Sequence, residues 1–320
     1  MKELQQLASV LLNPLTEDAP AFLKKVSDPP FLSVFGAALG LDWRHSGHTH
    51  HVLELVKNTG DNVFVVGGKT RKSIKAELDR TKSPMKDHIL NVLRMTEKVD
   101  TCALQEGPGH LSFQYILADD NGHWVVISQK LIRNEARRYH WASERKNFVE
   151  APHAGILGEK QATVLDLTAP KSAAARKVIT DLAQERVTRL NKQIMSLKAG
   201  QRSFFNTHFP TMPLLKRFFP EHLCAVREAK PKNFEELLAL SGIGPATIRA
   251  LAALAMQFYG VSPSLTDPAT HGWDGMVYTG TASAAQYAQL FLDIAEHEWL
   301  HKRQRFELTE RLSPFLKKHL

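Results

Sequence analysis

The stretch Leu237–Ala252, with the sequence LLALSGIGPATIRALA, contains two apolar helical segments separated by a short turn with two glycines. We expect the first helix to end at Leu240 and the second to begin at Pro245, because proline at the first helical position loses no hydrogen bond. Gly242 and Gly244 accommodate backbone conformations that other residues rarely adopt, and they leave no side chain over the turn. The sequence therefore predicts a helical hairpin with an open turn.

The start of the second helix is a candidate anion-binding site. The backbone amides around Gly244, Ala246 and Thr247 are expected to point outward at the positive end of the helix dipole, while Ile243 turns inward and anchors the turn. The pattern L-x-G-I-G-P-x-T between two helices is typical of a helix-hairpin-helix motif, which binds DNA phosphates without reading the bases. One alternative is a helical corner that uses Gly-x-Gly for packing. A dinucleotide-binding loop is disfavoured because no strand precedes the glycines.

The charge balance favours an anionic partner. The chain has 320 residues, with 41 Lys and Arg against 33 Asp and Glu, which gives a formal net charge of +8. Such a balance favours binding to anions and carries no information about the fold. The basic residues near the hairpin are Lys216, Arg217, Lys230, Lys232 and Arg249. We expect DNA binding to weaken steeply with salt, because cations are released from the duplex on binding.

The N-terminal half alternates between short strands and helices. Asn62–Val66 is a β-branched run that ends at two glycines, as expected of a strand before a tight turn. Ser112–Ala118 and His123–Gln129 flank an Asn-Gly pair, which is the strongest short-range signal for a β-hairpin. Helices are expected at Ser73–Arg80, Lys86–Lys98 and Leu131–Trp141.

The C-terminal half has only helical patterns. Apolar residues recur at helical spacing over Ser172–Ala199, which predicts one long amphipathic helix. Further helices are expected at Asn233–Leu240, Pro245–Tyr259, Ser283–His301 and Phe306–Lys318. The predicted fold class is an α+β N-terminal domain followed by an all-α helix-hairpin-helix C-terminal domain. The predicted boundaries are 1–165 for the α+β domain, 166–203 for the connecting amphipathic helix and 204–320 for the helical domain.

Two clusters in the N-terminal half carry groups suited to chemistry. The first holds metal-binding or proton-transferring side chains, namely Asp42, His45, Ser46, His48, His50 and His51. Its alternative interpretation is a polar loop and the start of a helix. The second is Gly67–Ser73, which follows a strand and precedes a helix, so that Lys69 and the free amides suit a phosphate. A solvated basic turn is the alternative there.

A third cluster combines Gln105–Gly107, Gln129 and Arg137–Trp141. Arg138 beside Tyr139 suits a nucleic acid, because arginine pairs with phosphate and an aromatic ring stacks on a base. The alternative is that the aromatic side chains belong to the core and that Arg137 caps a helix.

Beyond these clusters, the chain resembles the domain-of-unknown-function family 763 over nearly its full length. The segments that carry the resemblance are Ala38–Trp43 with Ser46-Gly47, Val66–Lys69 with Arg71-Lys72, Lys98–Asp100 with Ala103–Gly107, Gly122–Val126 with Gln129, Ala136–Trp141, Pro152–Gly155, Leu165–Thr168, the hairpin, and Asp267-Pro268. The resemblance implies a first domain similar to ParB-like nuclease domains and a second domain with a helix-hairpin-helix module. Arg44 stands where the family pattern has a histidine after the tryptophan.

The function that this resemblance implies is a DNA-binding protein, with metal-dependent nuclease activity in DNA repair or processing as the hypothesis. Asp42 and Glu106 would then bind Mg²⁺ or Mn²⁺, with Asp100 as a further candidate ligand, because hard cations take oxygen ligands. Lys69 or Arg137 would neutralise the charge of the transition state, and His45 would move a proton.

Two other functions compete with the nuclease hypothesis. A helix-hairpin-helix DNA glycosylase would use a carboxylate downstream of the hairpin, a position that Asp267 occupies. A non-enzymatic DNA-binding scaffold would only bind. A homodimer suits either case, because two linked hairpins gain effective concentration on DNA.

Cysteine content and hydropathy place constraints on the compartment. Cys102 and Cys224 are the two cysteines, too few for a disulfide framework or a four-cysteine zinc site. The N-terminus lacks the layout of a signal peptide, and the most apolar stretch, Leu237–Met256, is interrupted by polar residues and glycines. The sequence therefore predicts a soluble, cytoplasmic protein without a membrane partner.

Overall fold

An antiparallel five-stranded sheet organises the N-terminal half. The strands in the computed structural model are β1 (Phe64–Gly68), β2 (Leu104–Gln105), β3 (Gly109–Ala118), β4 (Trp124–Ile132), β5 (Glu135–Ala142), β6 (His153–Leu157) and β7 (Leu165–Asp166). The large sheet has the order β1-β3-β4-β5-β6, and β2 pairs with β7 in a second sheet. The structure describes residues 2–42, 47–59, 62–81, 85–133, 135–145, 147–199, 223–272, 284–297 and 300–316.

Helices cover the sheet and make up the rest of the regular structure. Those in the N-terminal half are α1 (Lys2–Thr16), α2 (Ala19–Ser27), α3 (Pro29–Ala38), α4 (His48–Lys57), α5 (Arg71–Thr81) and α6 (Lys86–Lys98). Those that follow the sheet are α7 (Ala173–Ala183), α8 (Val187–Ala199), α9 (Cys224–Ala229), α10 (Phe234–Ala239), α11 (Pro245–Tyr259), α12 (Ala284–His297) and α13 (Lys302–Leu316). The prediction of an α+β region followed by a helical region is confirmed.

The predicted β-hairpin at Asn121-Gly122 is present between β3 and β4. Gly122 has a φ of +87°, the left-handed conformation that glycine adopts without strain. The Asp119 carboxylate closes the turn, since it accepts the backbone N–H groups of Asn121 and His123, both at 2.9 Å. Local turn chemistry therefore sets the register of this strand pair.

The helix predicted at Leu131–Trp141 is wrong, because this segment forms the end of β4, a turn and β5. Arg133 reverses the chain with a φ of +51°. Strand β5 lies inside the sheet, paired with β4 on one side and β6 on the other. Both of its faces are buried after Glu135, so the sequence lacks the polar alternation that marks a half-exposed strand.

The long helix predicted over Ser172–Ala199 is divided into α7 and α8. Helix α7 ends at Ala183, and the backbone N–H of Gln184 bonds the carbonyl of Asp181 at 3.1 Å. The side-chain amide of Gln184 donates to the carbonyl oxygen of Pro231 at 3.0 Å. This interruption lets α7 pack against α11.

Two hydrophobic cores stabilise the described part of the chain, and each draws on both halves of the sequence. The first joins one face of the sheet to α7, α10 and α11, with Val126, Trp141, Ile179, Leu237 and Ile248 among its members. The second joins the other face to α1–α4, α12 and α13, with Leu11, Phe31, Phe35, Leu117 and Phe291 among its members. None of the helices that the structure describes is long and apolar enough to cross a membrane.

The variant Gly67→Ala tests the close pairing of β1 with β3. Gly67 lies opposite Tyr115, and a Cβ atom at Gly67 would lie 2.6 Å from the Cα of Tyr115. We expect Gly67→Ala to lower the free energy of unfolding by about 1–3 kcal/mol through this overpacking. Chemical denaturation measures the loss. Gly244→Ala is the control, because a Cβ there meets nothing within 4 Å; equal stability of both variants would contradict the assignment.

Candidate functional site

The predicted helical hairpin is formed by α10, the turn 240–244 and α11. Ile243 is 1% exposed and belongs to the first core. Gly242 is exposed with a φ of +82°. Gly244 is the N-cap of α11 with extended backbone (φ −129°, ψ 176°), and no side chain caps this helix end. The turn is thus anchored by Ile243 and open over both glycines, where an added Cβ would meet nothing within 4 Å.

The other predicted hairpin residues differ in their exposure. Pro245 is exposed at the first position of α11, and Ala246 is half-buried. Thr247, in the first turn of α11, is buried. Lys232 is exposed ahead of α10, where its backbone N–H donates to the carboxylate of Glu236 at 2.7 Å.

Two cations of α6 hold the hairpin from behind. The Lys98 ammonium donates to the carbonyl oxygen of Leu240 at 3.3 Å and to that of Ile243. The Arg94 guanidinium donates to the carbonyl oxygen of Ala239 at 2.7 Å. These bonds satisfy the carbonyls of Ala239 and Leu240 at the C-terminal end of α10, which have no partner within the helix, and the carbonyl of Ile243 in the turn. Burial lowers the pKa of Lys98.

Arg249 is turned toward the N-terminal half rather than directly toward solvent. Its guanidinium donates to the side-chain oxygen of Gln105 at 2.7 Å, and the Gln105 amide donates to the carbonyl oxygen of Pro245 at 3.1 Å. Arg249 is half-buried. The side chain predicted to contact DNA therefore helps to fix the first turn of α11.

Glu106 and Arg137, two predicted catalytic residues, lie together in a buried ionic network with Lys130 and Asp267. The Glu106 carboxylate lies 2.7 Å from the Lys130 ammonium and 3.2 Å from Nε of Arg137. It also accepts the Tyr139 hydroxyl at 2.6 Å. Arg137 forms two parallel hydrogen bonds with Asp267, of which Nη1–Oδ2 is 2.9 Å long. This arrangement is an internal charge-compensated network.

The surroundings of Glu106 do not fit a metal ligand, because an ammonium and a guanidinium already neutralise its charge at close range. Asp267 does not fit the carboxylate of a glycosylase for the same reason, since Arg137 binds both of its oxygens. Both carboxylates are less than 10% exposed.

The predicted contact of Arg138 and Tyr139 with DNA is wrong, because both residues are 0% exposed. Arg138 donates to the carbonyl oxygen of Pro29 at 2.9 Å and to the Ser33 hydroxyl at 3.1 Å, which joins β5 to α3. The alternative that placed the aromatic side chains in the core is correct for Tyr139 and Trp141, which are 0% and 1% exposed. Arg138 is a structural cation in the same strand.

The remaining predicted catalytic residues do not come together with Glu106 in the described structure. Asp42 is exposed just after α3, and His45 lies outside the described residues. Lys69 is exposed between β1 and α5, where its charge contributes to the lowered pKa of His50 after the larger effect of burial. Within the described ranges, no group of three His, Cys, Asp or Glu side chains is placed to hold a metal ion.

Asp100, predicted above as a further metal ligand, forms a buried pair with His153, to which the sequence assigned no role. Asp100 lies in a π-helical turn, Val99–Ala103, and is 0% exposed. Its carboxylate lies 2.7 Å from Nε2 of His153 and accepts the Ser128 hydroxyl at 2.7 Å and the Trp141 indole N–H at 3.3 Å. No local pattern links residues 53 positions apart. Both nevertheless lie in segments that carry the family resemblance.

These observations define a mixed α/β protein with an integrated helical hairpin and a buried ionic network. The family model described as "Protein of unknown function (DUF763)" matches residues 1–279, and the chain belongs to this family. The matched region includes the sheet, the hairpin and Asp267. No curated protein and no solved structure matches the chain. The resemblance of the first domain to ParB-like domains stays a prediction.

Glu106→Gln distinguishes a structural carboxylate from a metal ligand. Removing its charge leaves the Lys130 ammonium and the Arg137 guanidinium buried with less compensation. We expect the free energy of unfolding to fall by about 3 kcal/mol, measured by chemical denaturation. Glu144→Gln, at an exposed position, is the control. Unchanged stability of Glu106→Gln would contradict the structural role.

Lys98→Met tests whether α6 holds the hairpin turn. Methionine retains most of the aliphatic volume but cannot donate to the carbonyl oxygens of Leu240 and Ile243. We expect hydrogen exchange at the amides of Leu240 and Ile248, which donate to the carbonyls of Leu237 and Gly244 at 3.2 and 3.1 Å, to become about tenfold faster, because the turn opens more often. Lys72→Met, at an exposed position on α5, is the control. Exchange at the wild-type rate would show that Ile243 alone fixes the turn.

Proposed function

We propose that this chain binds the phosphate backbone of DNA through the turn 240–244 and the first turn of α11. The observation that carries this proposal is an exposed, glycine-lined turn at the uncapped N-terminus of a 15-residue helix. The proposal treats the hairpin as a helix-hairpin-helix motif.

The physical basis is the polarity of the helix end. The first amides of an α-helix lack partners within the helix, and the helix dipole places partial positive charge there. Phosphate oxygens satisfy both requirements. The absence of side-chain atoms at Gly242 and Gly244 lets a strand approach the backbone closely.

Backbone recognition of this kind implies low sequence specificity. Phosphate contacts position a protein on DNA, whereas base edges must be contacted for sequence readout. The residues nearest the open turn are Ser241, the two glycines and Pro245, none of which has a long base-reading side chain. We therefore infer binding that depends on DNA form more than on sequence.

Charge near the hairpin supports the same proposal. Lys230 and Lys232 are exposed ahead of α10. The ammonium of Lys98 lies against the carbonyls of the turn and adds positive charge behind it. The formal net charge of +8 raises the probability of encounter with a polyanion.

We favour DNA binding over the two enzymatic hypotheses as the sequence framed them. Glu106, one of the predicted metal ligands of the nuclease, and Asp267, the predicted carboxylate of the glycosylase, are both paired inside the ionic network. The hairpin turn, in contrast, is exposed at Ser241 and Gly242.

Gly244→Glu tests the proposed contact. A glutamate at this position brings negative charge and bulk to the turn, so we expect the affinity for DNA to fall by about tenfold or more. The open space at Gly244 accommodates the side chain, and a negative charge at a helix N-terminus does not oppose the helix dipole. Fluorescence anisotropy with labelled single- and double-stranded oligonucleotides measures the affinity.

Gly244→Ala is the matched control, since it adds a side-chain atom without charge in the same open space. Its affinity is expected to stay within about threefold of the wild type. If Gly244→Glu remains folded and binds DNA like the wild type, the hairpin is not the DNA contact.

A further inference from the structure

His153, the partner of Asp100, lines a cavity that plays no part in the proposed hairpin contact. The cavity has a volume of about 440 Å³, which is within the range of sites for small ligands or a single nucleotide. Its polar lining consists of Arg145, His153, Asp166, Thr168 and Thr270. Three of the segments that carry the family resemblance line this cavity, since they contribute His153, Asp166 and Pro268.

The imidazole of His153 is held in a fixed orientation. Nε2 lies 2.7 Å from the Asp100 carboxylate, so Nδ1 is the nitrogen left for a ligand. The ring also contacts Trp141 edge to face, with the ring centroids 4.4 Å apart. A carboxylate on one ring nitrogen fixes the orientation of the ring and leaves the other nitrogen for a proton or a ligand. Asp100 is thus a positioning residue for a base at His153.

Asp166 supplies a second titratable group in the same cavity. Its Oδ1 accepts the backbone N–H of Thr168 at 2.8 Å, the Thr168 hydroxyl at 2.6 Å and the backbone N–H of Ala169 at 3.1 Å. These bonds fix the orientation of the carboxyl group, and none of the three uses Oδ2. Burial raises the pKa of Asp166. Two titratable groups in different environments are the usual arrangement for paired acid and base catalysis.

Arg145 adds an anion-binding group to the cavity. It follows β5 in the loop that leads to β6, and it is exposed. A guanidinium pairs with two phosphate oxygens at once and keeps its charge at any physiological pH. The cavity therefore combines a phosphate-binding cation with a held imidazole and a carboxyl group.

We propose that this cavity hydrolyses a phosphodiester bond of DNA, with Arg145 binding the phosphate, His153 acting as the base and Asp166 as the acid. This inference rests on the proposed function, since the hairpin supplies the DNA. Nδ1 of His153 takes a proton from water, and the water oxygen forms a bond to phosphorus. The bond from phosphorus to the leaving oxygen breaks, and that oxygen takes the proton of Asp166. The proton on His153 then returns to Asp166 through solvent, so that one water is consumed for each bond cleaved.

The test measures single-turnover cleavage of a labelled oligonucleotide in Mg²⁺ buffer, alongside its affinity for the protein. The full-length wild type is expected to cleave. His153→Gln should lower the cleavage rate by about a hundredfold or more while the affinity for DNA stays the same. Asp166→Asn keeps the acceptor for the three hydrogen bonds on Oδ1 and should slow cleavage in the same way. Asp100→Asn should lower the rate at saturating DNA without changing the Kd.

Arg145→Ala tests the inference even if the variants at buried positions fold poorly, because Arg145 is exposed. It should slow cleavage by about tenfold or more and leave thermal stability unchanged. His110→Gln, at an exposed position in β3, is the matched histidine control and should cleave like the wild type. The inference is overturned if the wild type binds DNA without cleaving it. It is also overturned if both His153→Gln and Arg145→Ala cleave at the wild-type rate. Either result leaves the binding proposal intact. Wild type that binds no DNA would overturn both.

Discussion

The paired hydrogen bonds between Arg137 and Asp267 are the constraint on which the remaining structure depends. Arg137 lies in an interior strand, and Asp267 lies in the segment after α11. Asp267 also accepts the backbone N–H groups of Gln161 at 2.6 Å and of Ala269 at 2.8 Å. A buried ion pair is tolerated only when its remaining hydrogen-bonding capacity is also satisfied. The pair meets this condition, and it fastens the chain that follows the hairpin to the sheet.

The π-helical turn Val99–Ala103 connects the two proposed sites. Lys98, just before it, contacts the hairpin turn, and Asp100, within it, contacts His153. A π-helical turn accommodates one more residue than an α-helical turn and is frequent at functional sites. Because Lys98 and Asp100 share this short segment, a shift of the turn would displace both the carbonyls of the hairpin and the imidazole at the cavity.

Features fixed by neighbouring residues could be predicted from the sequence, and those fixed by distant residues could not. Gly122 and Pro245 determine their turns locally, and the bounds of α6 follow from its apolar spacing. The helix predicted over β5 is wrong because two features of this strand leave no local pattern: it pairs with a strand on each side, and both of its faces are buried. The Asp100–His153 pair has no local pattern at all. Its two residues meet only when the sheet brings β6 beneath the end of α6.

The sequence also does not show which charged side chains are exposed. A count of basic residues treats every cation as available to a partner, yet Lys130, Arg137, Arg138 and Arg176 are all buried in the described structure. Lys130 and Arg137 compensate internal carboxylates, and Arg138 donates to carbonyl and hydroxyl oxygens. These cations stabilise the packing of the halves and add little to the surface potential. The polyanion binding that we propose therefore depends on how the backbone is presented at the hairpin as much as on positive charge.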